Sequence, residues 1–442
     1  MSDVIPFGLP GQRAASAQQP QPRAWPLPVR ILFRFSFTYL ALSSWFWMFE
    51  FSDKSRGFIA KPYQAITGPI ARWTASHVYH WQGNIESSFV RDTRYLFGLL
   101  TSFLVASVII TAIWSILDRQ RTEYRWLNHW MRVFLRYLLA YILLHYGMDK
   151  VFLLQFPAPS LMRLTERFGD YSPSSLMWAF IGSSTLFSVF GGVAELMGAV
   201  LLLSRRTTTL GALIGFAVML NVTVMDFSYD VSVKIFCLHI LLMAAYLFLP
   251  DAGRLFDFFV LNRATQAVAL EPTKLSKAGH KVKALLKVAV VLFLLVPLMA
   301  RDWQRYRTTG PGAAHPPLYG LYEVEEFTLA GVVHPSLTTD AVRWRYVAFE
   351  EPNVLSLKRM DESLSSYRMQ YDAAQHSVTV SAPGDVADKS ILQVSEESSG
   401  EITLQGNYGG IPVTAKLLRV DRGGFTLVNR GFHWINESSF IR

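Results

Sequence analysis

The segment MRVFLRYLLAYILLHYGMDKVF, residues 131–152, is apolar enough to cross a membrane, yet it ends on the ionisable residues His145, Asp149 and Lys150. Further apolar runs follow up to residue 250, and Glu195 lies within one of them. Ionisable side chains are costly in hydrocarbon, so they usually have partners and face a bundle interior or a cavity. The sequence therefore predicts a polar site inside a membrane helix bundle.

The composition agrees with a membrane protein. Only 17% of the 442 residues are charged, against about a quarter in soluble domains. The net charge is +9, but the basic residues fall at the ends of apolar runs, which indicates topology and not a nucleic-acid surface. The single cysteine, Cys237, excludes an intrachain disulfide and dithiol chemistry, and we expect it to be a small packing residue.

Seven segments are long and apolar enough to be predicted as membrane spans. They are residues 30–51, 95–117, 131–152, 179–203, 209–227, 231–250 and 284–301. Basic residues concentrate before the first span and after the second, fourth and sixth, and these regions are predicted to be cytoplasmic. The prediction is a multi-pass protein of the bacterial inner membrane, with long loops at 52–94 and 155–178 on the outer face.

Three regions follow from this topology. Residues 1–29 are predicted to be a disordered cytoplasmic tail, and residues 30–305 a transmembrane helical domain. Residues 306–442 are predicted to be a periplasmic β-domain.

The β-domain is predicted from short alternating runs separated by turn residues. These runs are 322–329, 342–349, 354–358, 367–371, 377–380, 391–394, 401–404, 413–418 and 425–428. About nine short strands indicate an antiparallel barrel or a sandwich, and the barrel is preferred because closure removes exposed edges. Residues 429–437 are predicted to be a closing strand with an aromatic pair, or else a segment that plugs the barrel or docks on the bundle.

Glu195 is the most informative residue in the predicted bundle. Small residues share its helix face, which permits close helix–helix approach: Ser184, Ser188, Gly191, Gly192, Gly198 and Ala199. Glu195 is therefore predicted to point into a packed interface, where it needs a proton or a cationic partner. Two interpretations stay open, a functional carboxylate and a structural hydrogen bond to a neighbouring helix.

Other polar residues are predicted to lie in the outer half of the same bundle. Asp230 and Lys234 have the i, i+4 spacing of an ion pair, with a structural or a working role. His239 points about 140° away from Lys234 on a helix and is expected to be satisfied at another interface. Tyr146 shares a face with Asp149 or Lys150, and Asn221 lies at similar depth. An outward-opening pocket with Glu195 at its floor is the prediction.

Several short blocks of the chain resemble the DoxX-like family of bacterial membrane proteins. The blocks are YGMDK (146–150), QFP (155–157), GGVAE (191–195), RRT (205–207) and YDVSVK (229–234). The tail RGFHWI (430–435) resembles that of the longer members. The resemblance covers about residues 125–262 and implies a four-helix membrane core. It also implies an association with membrane redox complexes and quinones, since relatives include a thiosulfate:quinone oxidoreductase subunit. The bundle is also similar, more distantly, to the vitamin K-dependent carboxylase-like membrane domain, in which a lysine can act as base.

The leading hypothesis is a protein that binds a lipophilic ligand such as a quinone, as part of a membrane redox complex. Glu195 is the predicted proton carrier, and Lys234 or Lys150 the group that stabilises an anionic ligand. The predicted ligand-binding residues are Tyr146, Asp149, Asn221, Asp230 and Gln155. Expected partners are membrane lipids and a redox protein, with no metal and no nucleic acid. The alternatives are a non-enzymatic anchor for a β-domain that binds a lipid or protein, and a small transporter.

Overall fold

The computed structural model describes residues 24–44, 61–83, 85, 90–265, 276–381, 389–396 and 400–438. Residues 1–23, most of the predicted disordered tail, lie outside these described residues. The chain divides into two compact units. The first comprises Met1–Phe89 with Thr93–Phe134, and the second Val90–Asp92 with Leu135–Arg442.

The first unit is helical. Helix α1 is Leu27–Ser44, α2 is Lys61–His77 and α3 is Arg94–Leu117, while α4, Arg125–Val151, begins in this unit and ends in the second. Helix α2 corrects the prediction of a loop over residues 52–94. It packs on α3 where Gly98 meets the Ala71 backbone, a contact that leaves no room for a larger side chain. Residues 61–77 form a helix because they pack closely on α3 through small residues. The periodicity of the sequence within this region does not reveal that contact.

Between α4 and the β-domain, the described residues of the second unit form six more α-helices. They are α5 Pro173–Gly182, α6 Thr185–Leu202, α7 Thr208–Ser228, α8 Lys234–Phe248, α9 Ala252–Phe259 and α10 Lys277–Thr308. The span predicted over 179–203 is interrupted, because the Ser184 hydroxyl accepts the N–H of Phe187 and starts a new helix. Helix α10 is longer than the predicted span 284–301 and continues through Pro297.

Several helices have the length and apolar composition needed to cross a membrane. Five segments of the described chain meet this condition: Arg94–Leu117, Thr185–Leu202, Thr208–Ser228, Lys234–Phe259 and Ala278–Thr308. Helices α1 and α4, at the first and third predicted spans, are not among them. Both carry arginines within their apolar sequence, such as Arg34 and Arg136. The total of seven spans therefore stays a prediction.

The β-domain is a closed antiparallel barrel. Its strands are β1 Gly320–Leu329, β3 Trp344–Phe349, β4 Val354–Arg359, β5 Leu364–Asp372, β6 Ser377–Ser381, β7 Lys389–Glu396, β8 Glu401–Tyr408 and β9 Ile411–Val420, with a short β2, Val332–Val333, beside β1. β1 pairs with β3, each strand from β3 to β8 pairs with the next along the chain, and β1 pairs with β9 to close the barrel. Gly409 and Gly410 both have positive φ, as a two-residue hairpin turn requires. The interior is filled by apolar side chains, including Trp344 and Phe349.

The barrel was therefore the correct choice over a sandwich, and eight of the nine predicted runs are strands. The run 425–428 is not a strand, because Thr426–Asn429 forms a helical turn, α11, after the barrel has closed. The tail that follows is not the predicted closing strand either. Phe432 and Trp434 pack edge to face on each other but are 81% and 87% exposed.

The barrel packs on the loop between α4 and α5 within the second unit. The Leu161 N–H donates to Glu350 Oε2 at 2.8 Å, and Lys358 Nζ donates to the Thr165 carbonyl at 2.9 Å. Leu161 is buried in a small apolar cluster with barrel residues, among them Leu321. Partial burial at this contact raises the pKa of the Glu350 carboxyl above its ordinary value. The loop thus joins the helices to the barrel.

Candidate functional site

The candidate site is built around an ion pair between α4 and α6. Lys150 Nζ donates to Glu195 Oε1 at 2.7 Å. The Glu195 side chain is 1% exposed and that of Lys150 is 9% exposed. The other carboxylate oxygen of Glu195, Oε2, has no hydrogen-bond partner among the described protein groups. The site therefore offers a buried charge pair with one open acceptor.

Two glycines allow α4 and α6 to come close enough for this pairing. A Cβ on Gly192 would lie 2.7 Å from the Gly147 carbonyl oxygen and 2.9 Å from the Lys150 Cβ. Gly147 is equally confined by the Leu196 side chain at 2.9 Å. On the neighbouring face, Gly198 approaches the backbone of α7. The prediction that Glu195 points into a packed interface of small residues is confirmed for Ser188, Gly192, Gly198 and Ala199, which are buried, whereas Ser184 is exposed.

Aromatic side chains flank the lysine. Its Nζ lies 5.8 Å from the ring centroid of Tyr146 and 5.9 Å from that of Phe156, within the range of cation–π attraction. Trp178 packs on Phe156 and donates its indole N–H to the Gln155 carbonyl at 3.1 Å. The Gln155 side-chain oxygen is buried without a partner among the described groups. Aromatic side chains therefore flank the lysine of the pair, and the residue before Phe156 carries a second open acceptor.

Asp226 and Cys237 form a second buried contact near the pair. Cys237 Sγ donates to Asp226 Oδ2 at 3.0 Å, and both side chains are buried. Lys150 lies within Coulombic range of both groups, and Glu195 within range of the thiol. Cys237 was predicted to be a packing residue, and it also donates a hydrogen bond at the site. Asp226 is an acid at the end of an apolar run, and its position in the sequence could have predicted a buried polar partner here.

Sequence reasoning missed the contribution of α10. Arg301 reaches three groups: it donates to Asp302 Oδ1 at 2.7 Å, to Asp149 Oδ1 at 3.1 Å and to His145 Nδ1 at 2.9 Å. Arg305 also donates to Asp149 Oδ1, at 3.2 Å. The available signal was the Arg301–Asp302 dipeptide closing an apolar run, and it was assigned only to the end of a span.

Lys234 lies at the start of α8 and does not pair with Glu195. Its Nζ donates to Asp230 Oδ1 at 2.8 Å, as the i, i+4 spacing predicts. Asp92 is a further neighbour at 3.9 Å, and its carboxylate accepts the backbone N–H groups of Lys234 and Ile235. The hydrogen bond from Lys234 lowers the pKa of the Asp230 carboxyl below its ordinary value. The structure thus makes Lys150, and not Lys234, the partner of Glu195. The Asp230 side chain is 86% exposed, which corrects its prediction as a ligand-binding residue.

Two other predicted positions are clarified. Asn221 is exposed on α7, which corrects its placement in the pocket. It precedes the buried Asp226 by five residues and so points about 140° away on the helix. His239 is buried and its Nδ1 contacts the Ile235 carbonyl at 2.8 Å, which agrees with a satisfied histidine.

Among the described residues, no group of three or more His, Cys, Asp or Glu side chains is arranged to hold a metal ion.

No model of a known protein family matches this chain. No solved structure matches it either. The chain is similar to a curated relative, described as "Uncharacterized protein YwoB" from Bacillus subtilis (strain 168). The two are 27% identical over 123 residues, which is 26% of this chain and 72% of the relative. That description carries no activity, so the resemblance to DoxX-like proteins stays a prediction.

Proposed function

We propose that this protein is a DoxX-like inner-membrane protein that binds a lipophilic, quinone-like ligand at the Lys150–Glu195 pair. The observation that carries the proposal is the burial of this ion pair with Glu195 Oε2 left open. An unfilled buried acceptor carries a desolvation penalty, and a ligand hydrogen bond removes it. A purely structural role predicts the opposite, a carboxylate saturated by its neighbours.

A quinone headgroup matches the chemistry of these side chains. Its carbonyl oxygens accept hydrogen bonds from the Lys150 ammonium, and the hydroxyls of the reduced form donate to the open oxygens of Glu195 and Gln155. Its flat ring suits the aromatic wall formed by Tyr146, Phe156 and Trp178. Lys150 stabilises an anionic form of the ligand, and Glu195 accepts or donates a proton. Electrons for any reaction come from a partner protein or from a second bound ligand.

The proposed topology follows the basic residues of the chain. The cytoplasmic side faces the loops that carry them, and the barrel and the loop 155–178 lie together on the periplasmic side. The contact of Leu161 with Glu350 supports their placement on one side. The ligand then enters from the outer half of the bilayer, near the end of α4 that carries Lys150.

The test is the retention of lipophilic compounds by purified protein, measured by mass spectrometry. The variants are Glu195→Gln and Lys150→Met, and Asp230→Asn is the matched control because it alters an exposed ion pair. We expect wild type and control to retain the same quinone. In the two site variants we expect retention of the quinone to fall about tenfold, which corresponds to a loss of about 1.4 kcal/mol of binding free energy. Equal retention in all four proteins contradicts the proposal.

A second candidate function is a non-enzymatic anchor that presents the barrel. It is favoured by the contacts of the barrel with Leu161 and Thr165, which hold it on the helical region. Since the barrel interior is filled, its partner binds the outer surface. Absence of any retained lipophile from wild type favours this candidate.

A further inference from the structure

Asp149 of α4 and Asp302 of α10 form a second acidic centre beside the ligand site. Asp302 is completely buried, and the Asp149 side chain is 12% exposed. Arg301 and Arg305 bind Asp149 Oδ1, and Arg301 binds Asp302 Oδ1 through two nitrogens, at 2.5 and 2.7 Å. Asp302 Oδ2 has no donor among the described protein groups.

Arg301 binds both carboxyl groups by their Oδ1 atoms, so the two acids lie side by side around one guanidinium. Carboxylates in contact at a buried site do not both ionise readily, because like charges repel strongly where the dielectric is low. A single proton between them removes the repulsion and turns one oxygen into a donor. The unfilled acceptor on Asp302 therefore has a direct chemical explanation.

The charges of the surrounding groups also call for one proton. Four buried acids and three cations interact in this part of the bundle: Asp149, Glu195, Asp226 and Asp302 with Lys150, Arg301 and Arg305. Lys234 and Asp92 also act on Asp226, and their charges cancel. One proton on an acid makes the set neutral, which a low-dielectric interior favours.

The neighbouring histidine does not supply this proton. His145 Nδ1 lies 2.9 Å from an Arg301 nitrogen, and a guanidinium only donates, so Nδ1 is an acceptor. His145 is therefore neutral, with its other nitrogen 3.7 Å from Asp149 Oδ2. Tyr141 on the same helix lies within Coulombic range of Arg301 and Asp302.

We propose that Asp149 and Asp302 hold one shared proton and titrate together with Glu195, so that this proton-holding pair supplies the ligand site. Asp149 directly precedes Lys150, the partner of Glu195, on α4, and it acts on the Glu195 carboxyl through its charge. Acids that act on one another in this way titrate as a coupled system. When the proton leaves for Glu195, the two carboxylates stay bound to Arg301 and Arg305. The pair is refilled from water near Arg305, whose side chain is 47% exposed.

The shared proton itself does not depend on the proposed function, whereas its delivery to a ligand does. The experiment is infrared spectroscopy of the full-length protein in lipid, in H₂O and D₂O, following the carbonyl stretch of protonated carboxylic acids. We expect wild type to have this band at neutral pH, and both Asp302→Asn and Asp149→Asn to lose it. Asp230→Asn is the control that keeps it, and Glu195→Gln keeps the band but shifts the pH at which it titrates.

A band that persists in both Asp302→Asn and Asp149→Asn overturns the proposal, as does its selective loss in Asp226→Asn or Glu195→Gln. Thermal unfolding of each variant in the same lipid excludes loss of the fold as the cause. Absence of quinone from wild type removes the proposed function but leaves the infrared result intact, so the two failures are distinguishable.

Discussion

The ion pairs Lys150–Glu195 and Lys234–Asp230 have the same chemistry and almost the same length, 2.7 and 2.8 Å, but opposite surroundings. The Glu195 side chain is 1% exposed and the Asp230 side chain 86%. An exposed pair contributes little because water and salt screen it. A buried pair makes each charge depend on the other. The Lys150–Glu195 pair therefore differs from the Lys234–Asp230 pair in its burial and in the open oxygen of Glu195, and not in its N–O distance.

The largest expected effect comes from removing one charge of the buried pair. Lys150→Met leaves Glu195 without its cation, and such a loss costs about 3–5 kcal/mol of folding free energy. The measurement is the free energy of unfolding in a mild detergent. The double variant Lys150→Met/Glu195→Leu is the control, and it should recover most of the loss because no charge stays buried. A single variant as stable as wild type would remove the distinction between the two pairs.

The second effect concerns the helix contact that makes the buried pair possible. Gly192→Ala inserts a Cβ 2.7 Å from the Gly147 carbonyl, and overpacking of this kind costs about 1–3 kcal/mol. Gly191→Ala is the matched control, since its Cβ would meet only the Lys150 Cδ at 3.8 Å. Unfolding midpoints of the two variants measure the difference. Equal midpoints would show that α4 and α6 move apart to accept the added Cβ without a loss of stability.

The two pairs also differ in how far sequence alone predicts them. Asp230 and Lys234 are four residues apart, and helical spacing alone predicted their contact. Lys150 and Glu195 are 45 residues apart, and their contact depends on which helices pack together. Sequence reasoning predicted the burial of Glu195 from its glycine-rich face and its need for a proton or a cationic partner, but it did not name the partner.

The same contrast applies to the rest of the chain. Eight barrel strands were predicted because alternation is a local pattern, whereas the run 425–428 alternates and is still helical, because the barrel is already closed at Val420. Arg301 and Asp302 were assigned to a span end, since nothing local indicates that α10 lies against α4. Local periodicity is thus readable from sequence, and long-range pairing of polar groups is not.

Glu350 gives an intermediate case outside the membrane helices. Its carboxylate is partly buried and accepts the Leu161 N–H, and burial raises its pKa above the ordinary 4.5. A raised acid pKa stabilises the fold below 4.5, and this contribution is lost as the pH rises through the raised value. Glu350→Gln keeps an acceptor and removes the charge.

We therefore expect the Tm of Glu350→Gln relative to wild type to rise from acidic to neutral pH. Paired melting curves across this range measure it. A Tm difference that stays constant, or that falls as the pH rises, would mean that burial does not control this carboxyl.

The smallest effect is expected at the exposed pair. Asparagine, like aspartate, tolerates the positive φ of 50° at position 230. In Asp230→Asn, water solvates the Lys234 ammonium in place of the lost carboxylate. Asp92 still lies 3.9 Å from Lys234 Nζ and still accepts the first N–H groups of α8. The Tm and the retained lipid should both match wild type. A loss comparable to that of Lys150→Met would mean that the start of α8 belongs to the ligand site, and that exposure does not separate a working ion pair from a peripheral one.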